Sequence, residues 1–320
     1  MERYTYKLIS LERINPQNPY CLRASLEDEC LLKSIEKHGV MMPVIVTQGP
    51  QTALIDGHRR LHALRQLGRK EFPALQLLEI HPAPDQFMLA VMANGRQTMP
   101  DLDRALTLRK ASEQFQIRHE KIIEEFLPLL GLPQQRYVLE DYLAVSKLEC
   151  QILALIASGK APFRGASALQ RFNLDDQKSW VRILSQASFT TNELRHLCEW
   201  TGDLLKLKGA AMEDFLDAQN LNGILNHAEW DGRCKAKQYY KAMKTIRFPR
   251  IAEYERKFKT LAREIDGHTS AGVKIEESHS FEEEGFTVRA RLRNPESLDQ
   301  LLDLLKQKKS SLNSLFDSRL

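Results

Sequence analysis

The chain contains no apolar run approaching the roughly 20 residues that a membrane-crossing helix requires, and its start, Met1-Glu2-Arg3-Tyr4, is not followed by an apolar signal core. The expected location is therefore the cytoplasm. Cysteine is sparse: Cys21, Cys30, Cys150, Cys198 and Cys234 are an odd, scattered set without a C-x-x-C pair, which excludes a disulfide framework and a cysteine zinc site. With 15 Gly and 13 Pro in 320 residues, collagen-like and low-complexity architectures are excluded as well. No Walker loop, G-x-S-x-G elbow or Rossmann glycine fingerprint occurs, so the common nucleotide-binding and hydrolase folds have no motif here. A net charge of +4 is too small to name a partner by itself.

What is present, 42% hydrophobic and 28% charged residues over a length about twice that of one domain, describes a globular protein of two or three folded units. Residues 1 to about 80 read as an α/β unit. Leu26 to His38 has helical spacing through Leu31, Leu32 and Ile35, with a capping signal in Ser25 and Asp28 and a stop at Gly39. Val44-Ile45-Val46, Thr52 to Ile55 and Phe72 to Leu78 read as strands, with a helix from about His58 to Leu67 between the last two.

The sharpest local feature is Asp56-Gly57-His58-Arg59-Arg60, a glycine turn followed by two arginines in a first helical turn. Helix starts expose unpaired N–H groups with partial positive charge, so two added cations call for an anion. A nucleotide phosphate or an acidic side chain of the protein would both serve. His58 and His62, at i and i+4, also have the spacing of zinc ligands, but the flanking arginines repel a divalent ion.

From about Asp85 to Trp230 the periodicity is helical almost throughout. Glu124 to Leu130, a turn with Gly131, and a helix opened by Pro133 and running through Val138 to Leu148 have helix-turn-helix spacing, and an ordinary helical hairpin has it too. The second helix would present Gln134, Gln135 and Arg136, side-chain types that read adenine and guanine in the major groove. Residues 235 to 264 carry ten Lys or Arg against three Glu, with Tyr239, Tyr240, Phe248, Tyr254 and Phe258 among them, a mixture that suits a phosphate backbone or a solvated helix face. Gly272 to Glu276 and Phe286 to Arg293 suggest a hairpin. After it, Asn294-Pro295-Glu296 caps a helix with Leu298, Leu301, Leu302 and Leu305 on one face. Such a small piece buries too little surface alone, so a homodimer through it is expected.

Leu32-Lys33-Ser34-Ile35 to Gly39, Pro43-Val44-Ile45-Val46, and Gly57-His58-Arg59-Arg60 to Ala63 and Gly68 together resemble the N-terminal domain of the ParB chromosome and plasmid partition proteins. The helix-turn-helix pattern and the hairpin-and-leucine tail resemble, in the same order, that family's later domains. The resemblance implies an α+β, mostly helical protein: a ParB/sulfiredoxin-like nucleotide-binding domain (1–95), an all-α helix-turn-helix DNA-binding domain (96–232), a basic segment (233–266) and a β-β-α dimerisation domain (267–320). It further implies double-stranded DNA with a palindromic site, a ParA-type partner ATPase, nucleoid association, and CTP with Mg²⁺. The nucleotide would be held by Gly57, His58, Arg59, Arg60, Asn94 and Arg96, with Asn94 near the metal.

The departures are specific. Met42 stands where the family has Gln before Pro43, His58 replaces the Glu of the arginine turn, and the family's Glu-Asn-x-x-Arg is reduced to Ala93-Asn94-Gly95-Arg96. Losing that carboxylate removes a hard oxygen ligand of the kind Mg²⁺ uses. The expected enzyme activity is at most a weak CTPase, with no confident catalytic residue. A transcriptional regulator built from the same parts is an alternative. So is a small-molecule kinase or nuclease of the ParB/sulfiredoxin fold, with Asp56 or His58 acting on an acceptor.

Overall fold

The computed structural model describes residues 3–15, 18–49, 52–79, 82–95, 99–266, 273–277, 286–292 and 294–317. The chain is α+β and mostly helical. It divides into two compact units: Met1–Glu199 with Ala211–Glu213, and Trp200–Ala210 with Asp214–Leu320. Among the described residues no helix is long and apolar enough to cross a membrane.

The first unit begins with β1 (Tyr4–Ser10), α1 (Glu29–His38), β2 (Val44–Val46), β3 (Leu54–Asp56), α2 (His58–Gln66) and β4 (Glu71–Leu77). The sheet order is β1-β4-β2-β3; β4 runs antiparallel to β1 and parallel to β2, with Ile9 opposite Phe72 and Val44 opposite Ala74. Period-two alternation divides the strands between two cores. Ile9, Val44, Val46, Phe72 and Ala74 pack with Ile35, Leu61 and Leu64 of α1 and α2. Ile55 and Leu77 join Phe87, Ala90 and Val91 of α3 (Ala83–Asn94).

One local expectation is corrected. α1 starts at Glu29, not Leu26, because Asp28 is its N-cap and accepts from the Leu31 amide at 3.0 Å. Strand β1 carries no periodic signal in the sequence: Tyr4, Tyr6 and Leu8 are exposed, so only Ile9 marks a core-facing position.

The helical remainder of this unit includes α4 (Asp101–Arg109), α5 (His119–Lys121), which continues through a π-helical turn into α6 (Leu127–Leu129), then α7 (Arg136–Ser146) and α8 (Cys150–Ala157), followed by α9 (Leu174–Gln186). Phe87, Leu108, Ile122, Phe126, Leu127, Val138 and Leu139 lie in one core, which fixes the α5–α7 region against α3 and α4.

In chain order α10 (Thr191–Lys208), α11 (Met212–Ala218) and α12 (Leu221–Leu225) follow, and in the second unit α13 (Gly232–Arg247) and α14 (Pro249–Asp266) precede the antiparallel pair β5 (Lys274–Glu277) and β6 (Phe286–Arg289), then α15 (Pro295–Gln307) and α16 (Lys309–Asp317). The expected hairpin is present as that strand pair, with Gly272 and Arg293 outside the described residues. Asn294 caps α15 in a reciprocal box with Ser297, the Asn294 side chain accepting from the Ser297 amide at 2.9 Å. Three aromatic residues of the basic segment are buried rather than offered for stacking, and Tyr240 and Phe248 pack on Trp200. Tyr239 is fully buried, and Tyr254 and Phe258 lie in the core with Leu261, Ile275 and Leu304, because they occupy the apolar faces of α13 and α14. Much of the basic charge is paired locally, as in Lys244–Glu255 and Lys257–Glu253.

Candidate nucleotide pocket and DNA-reading helix

α2 opens at Gly57, whose φ of +102° is left-handed and whose missing side chain leaves room for Val44: a Cβ there would lie 2.5 Å from Val44 Cγ1. Gly57 supplies no capping side chain, and the first turn of α2 holds no acidic residue. A cavity of about 380 Å³ opens in front of this turn, lined by Asp28, Asp56, Gly57, His58, Arg59, Arg60 and Asn94 on its polar side and by Leu22, Leu31, Ile35, Val40, Met41 and Met42 on its apolar side.

The anion demanded by the two arginines is supplied, in the first instance, by the protein. Arg60 Nη2 pairs with Asp56 Oδ2 at 2.7 Å, and its Nη1 donates to the carbonyls of Met42 (2.7 Å) and Pro43 (3.0 Å). Asp56 also accepts from Asn94 Nδ2 at 3.2 Å, and Asn94 donates to the Ala90 carbonyl within α3. Among the described residues Arg59 pairs with Asp28 alone, and its side chain is 39% exposed against 18% for Arg60. In the sequence Asp28 reads only as a capping residue; the cap and the ion pair fall on the one carboxylate. Asp56, four residues before Arg60, was legible as an i, i+4 partner.

His58 is held neutral: burial pushes its imidazole down to about 4, opposed by nearby Asp56 and reinforced by Lys110. Its Nε2 and that of His62 are buried without a hydrogen-bond partner among the described residues. No group of three or more His, Cys, Asp or Glu suited to a metal occurs among the described residues, so the zinc spacing finds no third ligand. The residues fit a phosphate better than they fit a bare Mg²⁺, because both lining carboxylates, Asp28 and Asp56, already accept from guanidiniums. Arg96 lies outside the described residues.

The second candidate site is built on a helix stop. Gly131, at φ +69°, ends the α5–α6 run: its amide donates to Pro128 O at 2.9 Å and the Leu132 amide to Leu127 O at 2.8 Å, the paired bonds of a Schellman motif. The expectation that Pro133 opens the next helix is corrected. Gln135, with extended φ −136°, is the N-cap, and α7 begins at Arg136, because the Gln135 amide turns back to Pro133 O at 2.8 Å. α7 buries Val138, Leu139, Tyr142 and Val145 and leaves Gln135, Arg136, Tyr137, Glu140 and Asp141 exposed. Gln134 donates to the Glu124 carbonyl at 2.9 Å, tying the turn to the first helix, and Arg136 pairs with Glu140 at 2.9 Å while remaining 78% exposed. Tyr142 Oη donates to Asp101 Oδ1 at 2.7 Å and locks α7 onto α4.

Residues 3–88 match the family model described as the ParB N-terminal domain. Over that N-terminal segment the chain is similar to the ParB family. A probable chromosome-partitioning protein ParB of Coxiella burnetii is 25% identical over 203 residues, covering 62% of the ParB-like chain and 66% of the relative, just under two thirds of its length. One of Campylobacter jejuni is 24% identical over 234 residues, covering 72% and 80%. Among solved structures, a C-terminally truncated chromosome-partitioning protein ParB from Caulobacter crescentus complexed to the centromeric parS site aligns with a TM-score of 0.38 at 17% identity, over 60% of the ParB-like chain and 98% of that one.

Proposed function

We propose that this ParB-like chain is a sequence-specific binder of double-stranded DNA acting in chromosome or plasmid partition, a homodimer reading a palindromic site on the nucleoid. The observation that carries the reading is the Schellman-terminated helix pair whose second helix offers Gln135, Arg136 and Tyr137 to solvent at its N-terminal edge while its opposite face is locked into the core. That is the edge a helix-turn-helix inserts into the major groove. The names of the curated relatives support the partition role; a ParA-type partner is part of the same proposal and rests on the sequence resemblance.

The N-terminal pocket is read as a site for a CTP-type nucleotide. Its triphosphate would be held by the open start of α2 and by Arg59, with Arg60 and Asn94 fixing the floor; Arg96 is assigned by resemblance alone. Any Mg²⁺ would enter with the triphosphate, near Asn94, and would neutralise phosphate charge there, since Asp28 and Asp56 are already engaged by the arginines. With Ala93 in place of an acidic residue and both nearby carboxylates engaged by arginines, hydrolysis is weak or absent.

The DNA reading is tested with the full chain by mapping bound genomic segments, then titrating the recovered segment at 50 and 200 mM salt. Specific binding should fall by orders of magnitude over that range. The double variant Gln135→Ala with Arg136→Ala should lose roughly 1–3 kcal/mol of discrimination per reading contact while retaining non-specific binding. Binding independent of sequence and of salt would refute the proposal.

A further inference from the structure

The two neighbouring arginines of the pocket are held in different ways. Arg60 satisfies three acceptors on three chain positions, Asp56 and the carbonyls of Met42 and Pro43, and its side chain is largely buried. It is a strut between the start of α2 and the segment leading into β2. Among the described residues Arg59 has one partner, Asp28, and its side chain is more than twice as exposed. Asp28 in turn is shared: Oδ1 accepts from the Leu31 amide and caps α1, while Oδ2 takes Arg59. The same cavity is lined by both members of this pair and by the uncapped start of α2.

An anion entering the cavity therefore meets Arg59 already matched to a carboxylate, and that carboxylate repels it. We propose that Asp28 is a resident counter-ion that competes with incoming phosphate for Arg59 and so sets the pocket's phosphate affinity. Rotation of Arg59 away from Asp28 costs one charge-assisted contact at a half-exposed position, which solvent screens. Release of Arg60 would break three contacts at a more buried one. Exchange thus belongs to Arg59. Asp28 keeps its cap on α1 throughout, since the capping oxygen is not the paired one.

This inference rests on the nucleotide reading and deepens it, and one substitution separates the two functions of Asp28. Asn is as good an N-cap as Asp but carries no charge. Asp28→Asn should therefore preserve α1 and release Arg59. The measurement is calorimetric titration of the full chain with tripolyphosphate and, separately, with CTP. Relative to the wild type, Asp28→Asn is expected to bind both roughly tenfold more tightly, the size of one charge-assisted contact, and Asp28→Ser, which also caps, should behave likewise if the Asn variant folds poorly. Adding Arg59→Ala to Asp28→Asn should abolish the gain. Wild-type binding with no gain in either Asp28 variant overturns the counter-ion role and leaves the nucleotide reading standing. Absence of binding by wild type and variants alike overturns both.

Discussion

At the scale of single residues, the pocket's unusual member is His58, which stands beside two arginines and cannot afford a third positive charge. Burial holds its imidazole neutral down to about 4, whereas the ordinary value is 6.5. In the pH window between those values the unfolded chain binds a proton that the folded chain refuses, so stability is complete above about 6.5 and declines as pH falls towards 4. The ceiling of this contribution is on the order of 3 kcal/mol. Replacing the imidazole with an amide, His58→Gln, should remove that slope: denaturant midpoints at pH 7 and pH 4.5 should differ less for the variant than for the wild type. Parallel loss of stability in the two proteins would show that His58 is not the neutral, desolvated group described here.

At the scale of elements, the junction of β3 and α2 shows how local sequence and tertiary packing share control. Gly57 takes a left-handed conformation, and the space a Cβ would occupy belongs to Val44 of the adjacent strand. Gly57→Ala should cost roughly 2–3 kcal/mol, read as a lower urea midpoint, because the backbone penalty and the Val44 clash act together. A loss below about 0.5 kcal/mol would mean that the β2–β3 packing yields easily. This turn was legible because Asp-Gly followed by a helical period is a local signal. The α15 cap at Asn294 and the Gly131 stop were legible for the same reason. Strand β1 was not, since an edge strand with Tyr4, Tyr6 and Leu8 exposed lacks the inside-outside contrast that marks a strand. Nor was the ion pairing of Arg59: Asp28 is 31 residues away in sequence, and the charge pattern alone left a ligand and a carboxylate equally able to answer the two arginines. The start of α7 slipped from Pro133 to Arg136 because proline marks a turn as readily as a helix start.

At the scale of the whole molecule, the proposed function makes the tail the element that would decide whether one chain or two engage DNA. The spacing in α15 puts Leu298, Leu301, Leu302 and Leu305 on one face, and the structure divides that set: Leu301 and Leu305 pack against the core of Tyr254, Phe258 and Leu304, while Leu298 and Leu302, one helical turn apart, are 44% and 46% exposed. Two leucines spaced i, i+4 on an outward stripe suit a self-complementary helix contact, in which a two-fold axis places each stripe on its copy. A dimer formed there would join two reading helices in one particle, and the affinity for a palindrome would then contain an effective-concentration term that a monomer lacks. Leu298→Glu with Leu302→Glu adds like charges across the axis without touching the buried leucines. By sedimentation equilibrium the wild type should be a dimer and the double variant a monomer with an unchanged helical circular dichroism spectrum. Its affinity for a palindromic segment should fall at least tenfold while that for a single half-site stays within about twofold of wild type. If the variant remains a dimer, the contact lies elsewhere on the chain and the exposed stripe does not carry assembly.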